Sequence, residues 1–371
     1  MLRNLILLGS CLLINPSVAL SDTCDNRVKD VSNSPTDAGP YKVGARTVNV
    51  GNLGIEVWYP SDVEDVSNLS PKTYDLRNQL PDREGAKIPD AENPIQFCDC
   101  YQDLPIAVGQ ESFPVVVFVH GTAAFRTQAL PQMTHWASRG FIVLSADHPR
   151  IRLKDLLGRG GLIGAILANQ KRDVRNMIAA LNRGDRAFDF LEGRYDLTRI
   201  GLSGHSAGGN AIGDLGDIPG VKVLIPMTAN RITPNPQIES VLVMGAARDG
   251  VVPYSSQESG YEGYPGQKTL VTINNAGHLA YSEICSLGAE NGGILAIAIK
   301  NGVRVPSIVE RLGYDGCAPD FLPPQETWEI INYATTAVLE DVLYCSETSA
   351  PALKALPSVF GDEVTFKSNQ L

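Results

Sequence analysis

Apolar residues along the chain fall into two kinds of run. Near the N-terminus, Arg46–Val50 and Gly54–Tyr59 alternate apolar and polar positions, the pattern of half-buried antiparallel strands joined by a glycine-containing turn. From Pro114 onward the runs are continuous: Val115–Val119, Phe141–Ala146, Ile200–Ser203, Val221–Met227, Ser240–Ala246 and the short Leu270–Ile273. Unbroken apolar stretches of this length mark strands buried on both faces. Thr127–Arg139, Val174–Leu181 and Ala207–Ile212 read as helices between them, and a longer helix is predicted from about Gln325 to Tyr344. Strands alternating with helices, without internal repeats, predict an α/β fold: a mostly parallel central sheet with helices on both faces.

Two segments stand outside this alternation. Residues 61–112 form an acidic, proline- and asparagine-containing insertion with no clear period, too long for an ordinary loop and expected to wrap the surface. At the N-terminus, Arg3, the apolar run Leu5–Ile14 and the small residues Ser17-Val18-Ala19 have the order of a secretory leader, too short to span a bilayer. The expected organisation is a leader at 1–19 and a single domain over 20–371, with the insertion at 61–112 and a C-terminal helical extension. Removal of the leader deletes Cys11 and leaves Cys24, Cys98, Cys100, Cys285, Cys317 and Cys345, an even number that suggests up to three disulfides in a secreted or periplasmic chain. Cys98 and Cys100 are expected to reach different partners, tying the insertion down, because they sit so close in sequence. No histidine lies near this pair, which argues against a metal site.

Composition narrows the function. With 43% hydrophobic and 19% charged residues the chain buries a large core, and a net charge of -10 excludes a nucleic-acid partner, which needs a basic face.

The chemistry concentrates at Gly204-His205-Ser206-Ala207-Gly208-Gly209, a G-x-S-x-G sequence between a predicted strand and a predicted helix. A serine on such a turn has its hydroxyl held out over the sheet, and small residues on either side let strand and helix pass closely. The motif is weak alone and depends on partners. A serine nucleophile needs a base and a group to orient that base. Of five histidines, His205 lies inside the turn, His120 and His148 follow upstream strands, and His135 falls mid-helix. His278 follows the last short strand in a glycine- and asparagine-rich loop, downstream of the serine, and is the candidate base. Asp249 follows the strand Ser240–Ala246 and is the candidate acid, whereas Asp214 and Asp217 are expected to be solvated and Glu258 and Glu262 to lie in a polar loop. The candidate oxyanion donors are the backbone N–H groups of Ala207, fixed by the turn, and Thr122, in the loop His120-Gly121-Thr122-Ala123-Ala124. This chemistry calls for no metal and no organic cofactor.

These residues resemble the platelet-activating-factor acetylhydrolase-like α/β-hydrolases and the related dienelactone-hydrolase-like esterases. The resemblance is carried by Phe118–Thr127, Ser138–Val143, Asp147-His148, the turn at Gly204–Gly209 and Val57-Trp58-Tyr59-Pro60. It implies a serine esterase acting on short or oxidised acyl chains, including those of lipids, with a small-molecule or lipid ester as its partner. A cutinase-like polyester hydrolase, an acyltransferase or peptidase on the same scaffold, and a non-catalytic binding protein are the alternatives. The resembling proteins often have glycine where this chain has Ala123. The apolar runs Gly160–Ala168 and Gly293–Ile299 read as buried core helices, with lining of an acyl pocket or weak contact with a lipid surface as the alternatives.

Overall fold

A computed structural model describes residues 34–158 and 161–369. The expected leader at 1–19, Cys11, Cys24 and Gly160 lie outside the described residues. The strands are β1 (Lys42–Val50), β2 (Leu53–Ser61), β3 (Thr73–Asp75), β4 (Ile95–Phe97), β5 (Tyr101–Gln102), β6 (Phe113–Val119), β7 (Ile142–Ala146), β8 (Tyr195–His205), β9 (Val221–Met227), β10 (Ser240–Ala246), β11 (Lys268–Ile273) and β12 (Val364–Ser368). Ten of them form one sheet in the order β12-β11-β10-β9-β8-β6-β7-β2-β1-β5. The run from β11 to β7 is parallel, β2 joins β7 antiparallel, and β12 closes the far edge antiparallel to β11.

Each expected parallel strand is present because its apolar residues supply both faces. In β6, Val116 and Phe118 point into one buried layer and Val115, Val117 and Val119 into the other, the period-2 alternation of a pleated strand. The helices Leu130–Ser138 and Pro324–Tyr344 cover the first face through residues such as Met133, Trp136, Ile331 and Leu339. The helices Gln170–Asn182 and Ala207–Ile212 cover the second through Val174, Met177, Leu181 and Ile212. The helix expected from Thr127 begins at Leu130, with Pro131 in its first turn, where a missing N–H costs nothing. Glu258 and Glu262 lie on a helix, Tyr254–Gly263, rather than in a loop.

The insertion departs most from expectation. Cys98 and Cys100 bridge each other, with their Cα atoms 5.0 Å apart. The chain bends at Asp99, which draws the pair from the upper end of the usual disulfide range of about 4.4–6.8 Å, where a straight strand would hold them at about 6.6 Å, well into it. The insertion is held instead by hydrogen bonds: β3 pairs β4, β5 pairs β1, and buried Gln96 donates to Thr127 O (2.9 Å) and to Glu283 Oε2 (2.7 Å). A second disulfide joins Cys285 to Cys317, and Cys345 is disulfide-bonded as well. No helix among the described residues is long and apolar enough to cross a membrane.

Candidate active site

The parallel register aligns the C-terminal ends of neighbouring strands along one edge of the sheet. Val119 pairs with Gly204, His205 with Met227, Met227 with Met244, and Ala246 with Ile273. The loops that leave these ends carry Thr122, Ser206, Asp249 and His278, so residues separated by up to 156 positions face one region of the molecule.

Ser206 follows β8 directly and caps the helix Ala207–Ile212 with φ 56° and ψ −118°, a conformation that L-residues rarely adopt. Its neighbours make the turn possible. A Cβ on Gly208 would lie 2.0 Å from Val119 O, and one on Gly204 would lie 2.6 Å from the Gly208 carbonyl carbon, so any side chain there collides with backbone. The Ser206 N–H donates to Met227 O (2.9 Å), fixing the turn to the next strand.

Asp249 and His278 form a buried pair: His278 Nδ1–H donates to Asp249 Oδ2 over 2.8 Å. The other oxygen of Asp249 accepts the N–H groups of Val251 (2.8 Å) and Val252 (2.7 Å), and Gln257 Nε2 donates to Oδ2 (2.9 Å). Four donors therefore orient the carboxylate. The other ring nitrogen of His278 is left for the cavity that Ser206 also lines.

The remaining histidines are built into the structure as neutral, buried groups or bound to carboxylate. Burial, reinforced by His148, pushes His120 down to about 3, and its Nδ1–H donates to Gly121 O (2.7 Å). Burial and Arg139 push His135 down to about 4, and its Nε2–H donates to Pro35 O (2.9 Å). His148 pairs with Asp173 through Nδ1 (3.2 Å). His205 is held well below the ordinary imidazole range, first by burial and then by the neighbouring His278, so it is neutral. Its partners assign the tautomer: Nε2–H donates to His278 O (2.9 Å), and Nδ1 accepts from Gln128 Nε2 (2.7 Å). Gln128 Oε1 in turn accepts the Gly121 N–H (3.1 Å).

This relay ties the Thr122 loop, the serine turn and the His278 loop together. It also sorts the backbone donors of the Thr122 loop. Gly121 N–H is engaged by Gln128 and Ala123 N–H by Ile151 O (2.9 Å), which leaves the Thr122 N–H between them with no protein acceptor among the described residues. Ala123 takes a left-handed φ of 60°, the conformation that glycine adopts without strain. The Ala207 N–H, first in its helix, has no intrahelical acceptor.

Sequence reasoning missed Gln128, Gln257 and Asp315, whose carboxylate accepts the N–H of His278. Their types and spacing carry no motif, and only the fold brings them near. The cavity holds about 280 Å³, and its walls include Phe125, Leu153, Leu156, Ile294, Leu295 and Leu312. A smaller apolar cavity of about 60 Å³ adjoins it, sharing Phe125, Leu153, Ile294 and Leu295 and adding Leu76, Leu80 and Ile88 from the insertion. The run Gly293–Ile299 thus lines the pocket through Ile294 and Leu295, while in the other apolar run Ile163 and Ile166 are about four-fifths exposed. No group of three or more His, Cys, Asp or Glu side chains among the described residues could hold a metal ion.

Comparisons place the chain beside known ester hydrolases in sequence and in fold. The family model described as platelet-activating factor acetylhydrolase, isoform II, matches residues 93–151, the stretch from the end of the insertion through β6, the Thr122 loop and β7. A bis(hydroxyethyl) terephthalate hydrolase of Streptomyces coelicolor is 26% identical over 183 residues, covering 47% of this chain; the chain spans about half, 54%, of that relative's length. In fold, the chain matches a ferulic acid esterase from Streptomyces cinnamoneus with a TM-score of 0.60 at 20% identity, over 92% of this chain and 99% of that one.

Proposed function

We propose that this α/β-hydrolase is a serine carboxylic ester hydrolase of the platelet-activating-factor-acetylhydrolase-like type. The observation that carries this reading is the 2.8 Å Asp249–His278 pair facing the same cavity as a serine at positive φ. In the proposed reaction Ser206 Oγ attacks the acyl carbonyl while His278 Nε2 takes its proton. Asp249 holds the imidazole in the required tautomer and stabilises the imidazolium. The N–H groups of Thr122 and Ala207 receive the tetrahedral oxyanion, each worth about 2.7–4 kcal/mol of barrier. His278 then returns the proton to the departing alcohol, and a water molecule, activated by the same imidazole, releases the acyl group from Ser206.

The cavity argues for a small apolar acyl group. An apolar cavity of about 150 Å³ is enough to bind benzene. One of about 280 Å³ has room for a single-ring aromatic acyl or a short aliphatic chain. Aromatic esters are favoured by the terephthalate named for one relative and the ferulic acid named for the structural match. Residues 1–19 are read as a leader and 20–371 as one domain, supported by a single sheet that runs unbroken from β5 to β12. Export to an oxidising compartment is supported by the disulfides.

Replacing Ser206 with Ala is expected to abolish p-nitrophenyl acetate turnover and fluorophosphonate labelling without altering the circular dichroism spectrum. Retained turnover would refute the reading. A panel of aromatic, short-chain and long-chain p-nitrophenyl esters, a short-chain phosphatidylcholine and a polyester film then identifies the substrate class.

A further inference from the structure

Asp315 lies in the C-terminal tail, 37 residues beyond His278, in a segment without a recognisable motif. Its carboxylate bridges the two loops that carry the acid and the base. Oδ1 accepts the N–H of His278 itself over 2.6 Å, and Oδ2 accepts the N–H of Gly250, the residue after Asp249, over 3.0 Å. The Asp315 carbonyl also accepts the Leu279 N–H (2.9 Å).

Glycines clear the space around this contact. A Cβ on Gly250 would stand 2.3 Å from Asp315 Oδ2, and one on Gly277 would stand 2.5 Å from the Cα of Gly316. Gly316 itself has φ +97°. The backbone on both sides is cleared of side chains, so the carboxylate can sit between the loops.

The same tail segment spans the loops a second time. Arg248 donates to Asn275 Oδ1 (2.6 Å) and Asp320 O (2.7 Å), and Leu322 N–H donates to Asn275 O (2.8 Å). The Cys285–Cys317 disulfide holds this strap two residues from Asp315. Leu312, at its start, forms part of the cavity wall.

We propose that Asp315 is a positioning residue for the esterase reaction: its carboxylate sets the separation of the Asp249 and His278 loops, and hence the aim of the imidazole at Ser206. The inference rests on the serine-esterase reading and extends the reacting assembly into the tail. A carboxylate suits the position because it offers two acceptors to two converging N–H groups. An asparagine offers one acceptor and turns its NH2 toward the other N–H, and an alanine offers none. The loops would then drift by fractions of an ångström, and a misplacement of about 1 Å is enough to cost on the order of 100-fold in rate.

The test compares D315N and D315A with the native chain. Active sites are counted by fluorophosphonate titration, kcat is taken per labelled site, and thermal midpoints check the fold. Expected is a kcat per site lowered about 10-fold in D315N and up to about 100-fold in D315A, with KM within about threefold. If Asp315 only held the fold, fewer sites would be labelled but each would turn over at the native rate; that result overturns the proposal. Should D315A fail to fold, the isosteric D315N decides alone. S206A is run in parallel: turnover retained there removes the esterase reading and this inference together, whereas a dead S206A beside a fully active D315N removes only the role of Asp315.

Discussion

Single residues set the limits within which this site can vary. Gly208 is the strictest case, because its missing Cβ would sit 2.0 Å from a backbone oxygen of β6 that is itself held in the sheet. Gly208→Ala must push the serine helix away from β6, and we expect it to lose both stability and at least about 100-fold in esterase rate, read by thermal denaturation and p-nitrophenyl acetate turnover. Glu283 sets a pH limit of another kind. Burial pushes its carboxyl up to about 7, opposed by the hydrogen bond from Gln96. A carboxyl with a folded pKa above its unfolded value is protonated more readily in the native state, so its stabilising contribution is full at low pH and is lost as pH rises from about 4.5 through 7. A tenfold change in proton affinity between the folded and unfolded chain corresponds to about 1.4 kcal/mol. Glu283→Gln removes the charge and is expected to be more stable than the native chain at pH 8, by on the order of 1–3 kcal/mol, while matching it at pH 4. Urea midpoints at the two pH values check this; an equal effect at both would show that the carboxyl does not titrate in that window.

At the scale of elements, local pattern and long-range contact contributed different things. The strands β6 to β11 were legible because a strand buried on both faces must be apolar throughout, and helices between them had to lie against its faces. Ser206, Asp249 and His278 could be placed at strand ends for the same reason. What pattern could not reveal was what crosses between elements: Gln128 linking three loops, β12 adding to the far edge, and Cys98 bridging its near neighbour. The last followed from a bend at Asp99 that composition does not encode. The Cys98–Cys100 and Cys285–Cys317 disulfides differ in what they enclose. In the loop-entropy model, a bridge at a separation of 2 constrains the unfolded chain by about 1–2 kcal/mol, and one at a separation of 32 by about 3–4 kcal/mol. The double variant Cys98→Ser/Cys100→Ser should therefore lower unfolding free energy by less than Cys285→Ser/Cys317→Ser. Equilibrium unfolding in guanidinium measures both, and the reverse order would mean that the short bridge secures tertiary structure beyond its own turn.

For the whole molecule, the cavity beside Ser206 and its smaller neighbour are where the separate parts of the chain meet. The sheet supplies the reacting groups, the insertion supplies Leu76, Leu80 and Ile88, and the tail supplies Ile294, Leu295 and Leu312. Leu295 borders both the larger cavity and the smaller one beside it, and its Cδ1 sits in space left by the missing side chain of Gly313, 2.4 Å from where a Cβ would be. With Phe125, Leu153, Ile294 and Val309 it forms the partition between about 280 Å³ next to Ser206 and about 60 Å³ beyond. Cutting it to alanine removes the isopropyl end of the side chain and is expected to join the two spaces. Each additional CH2 of an acyl chain that finds apolar cover gains about 0.8 kcal/mol, close to fourfold in binding, provided that the cover exists. Leu295→Ala is thus expected to leave p-nitrophenyl acetate hydrolysis within about threefold of the native rate, because acetate does not reach the partition. For hexanoate and octanoate esters it should raise kcat/KM about 4-fold for each CH2 newly covered. A chain-length profile unchanged by the substitution would place the acyl group elsewhere along the cavity and assign Leu295 to packing alone.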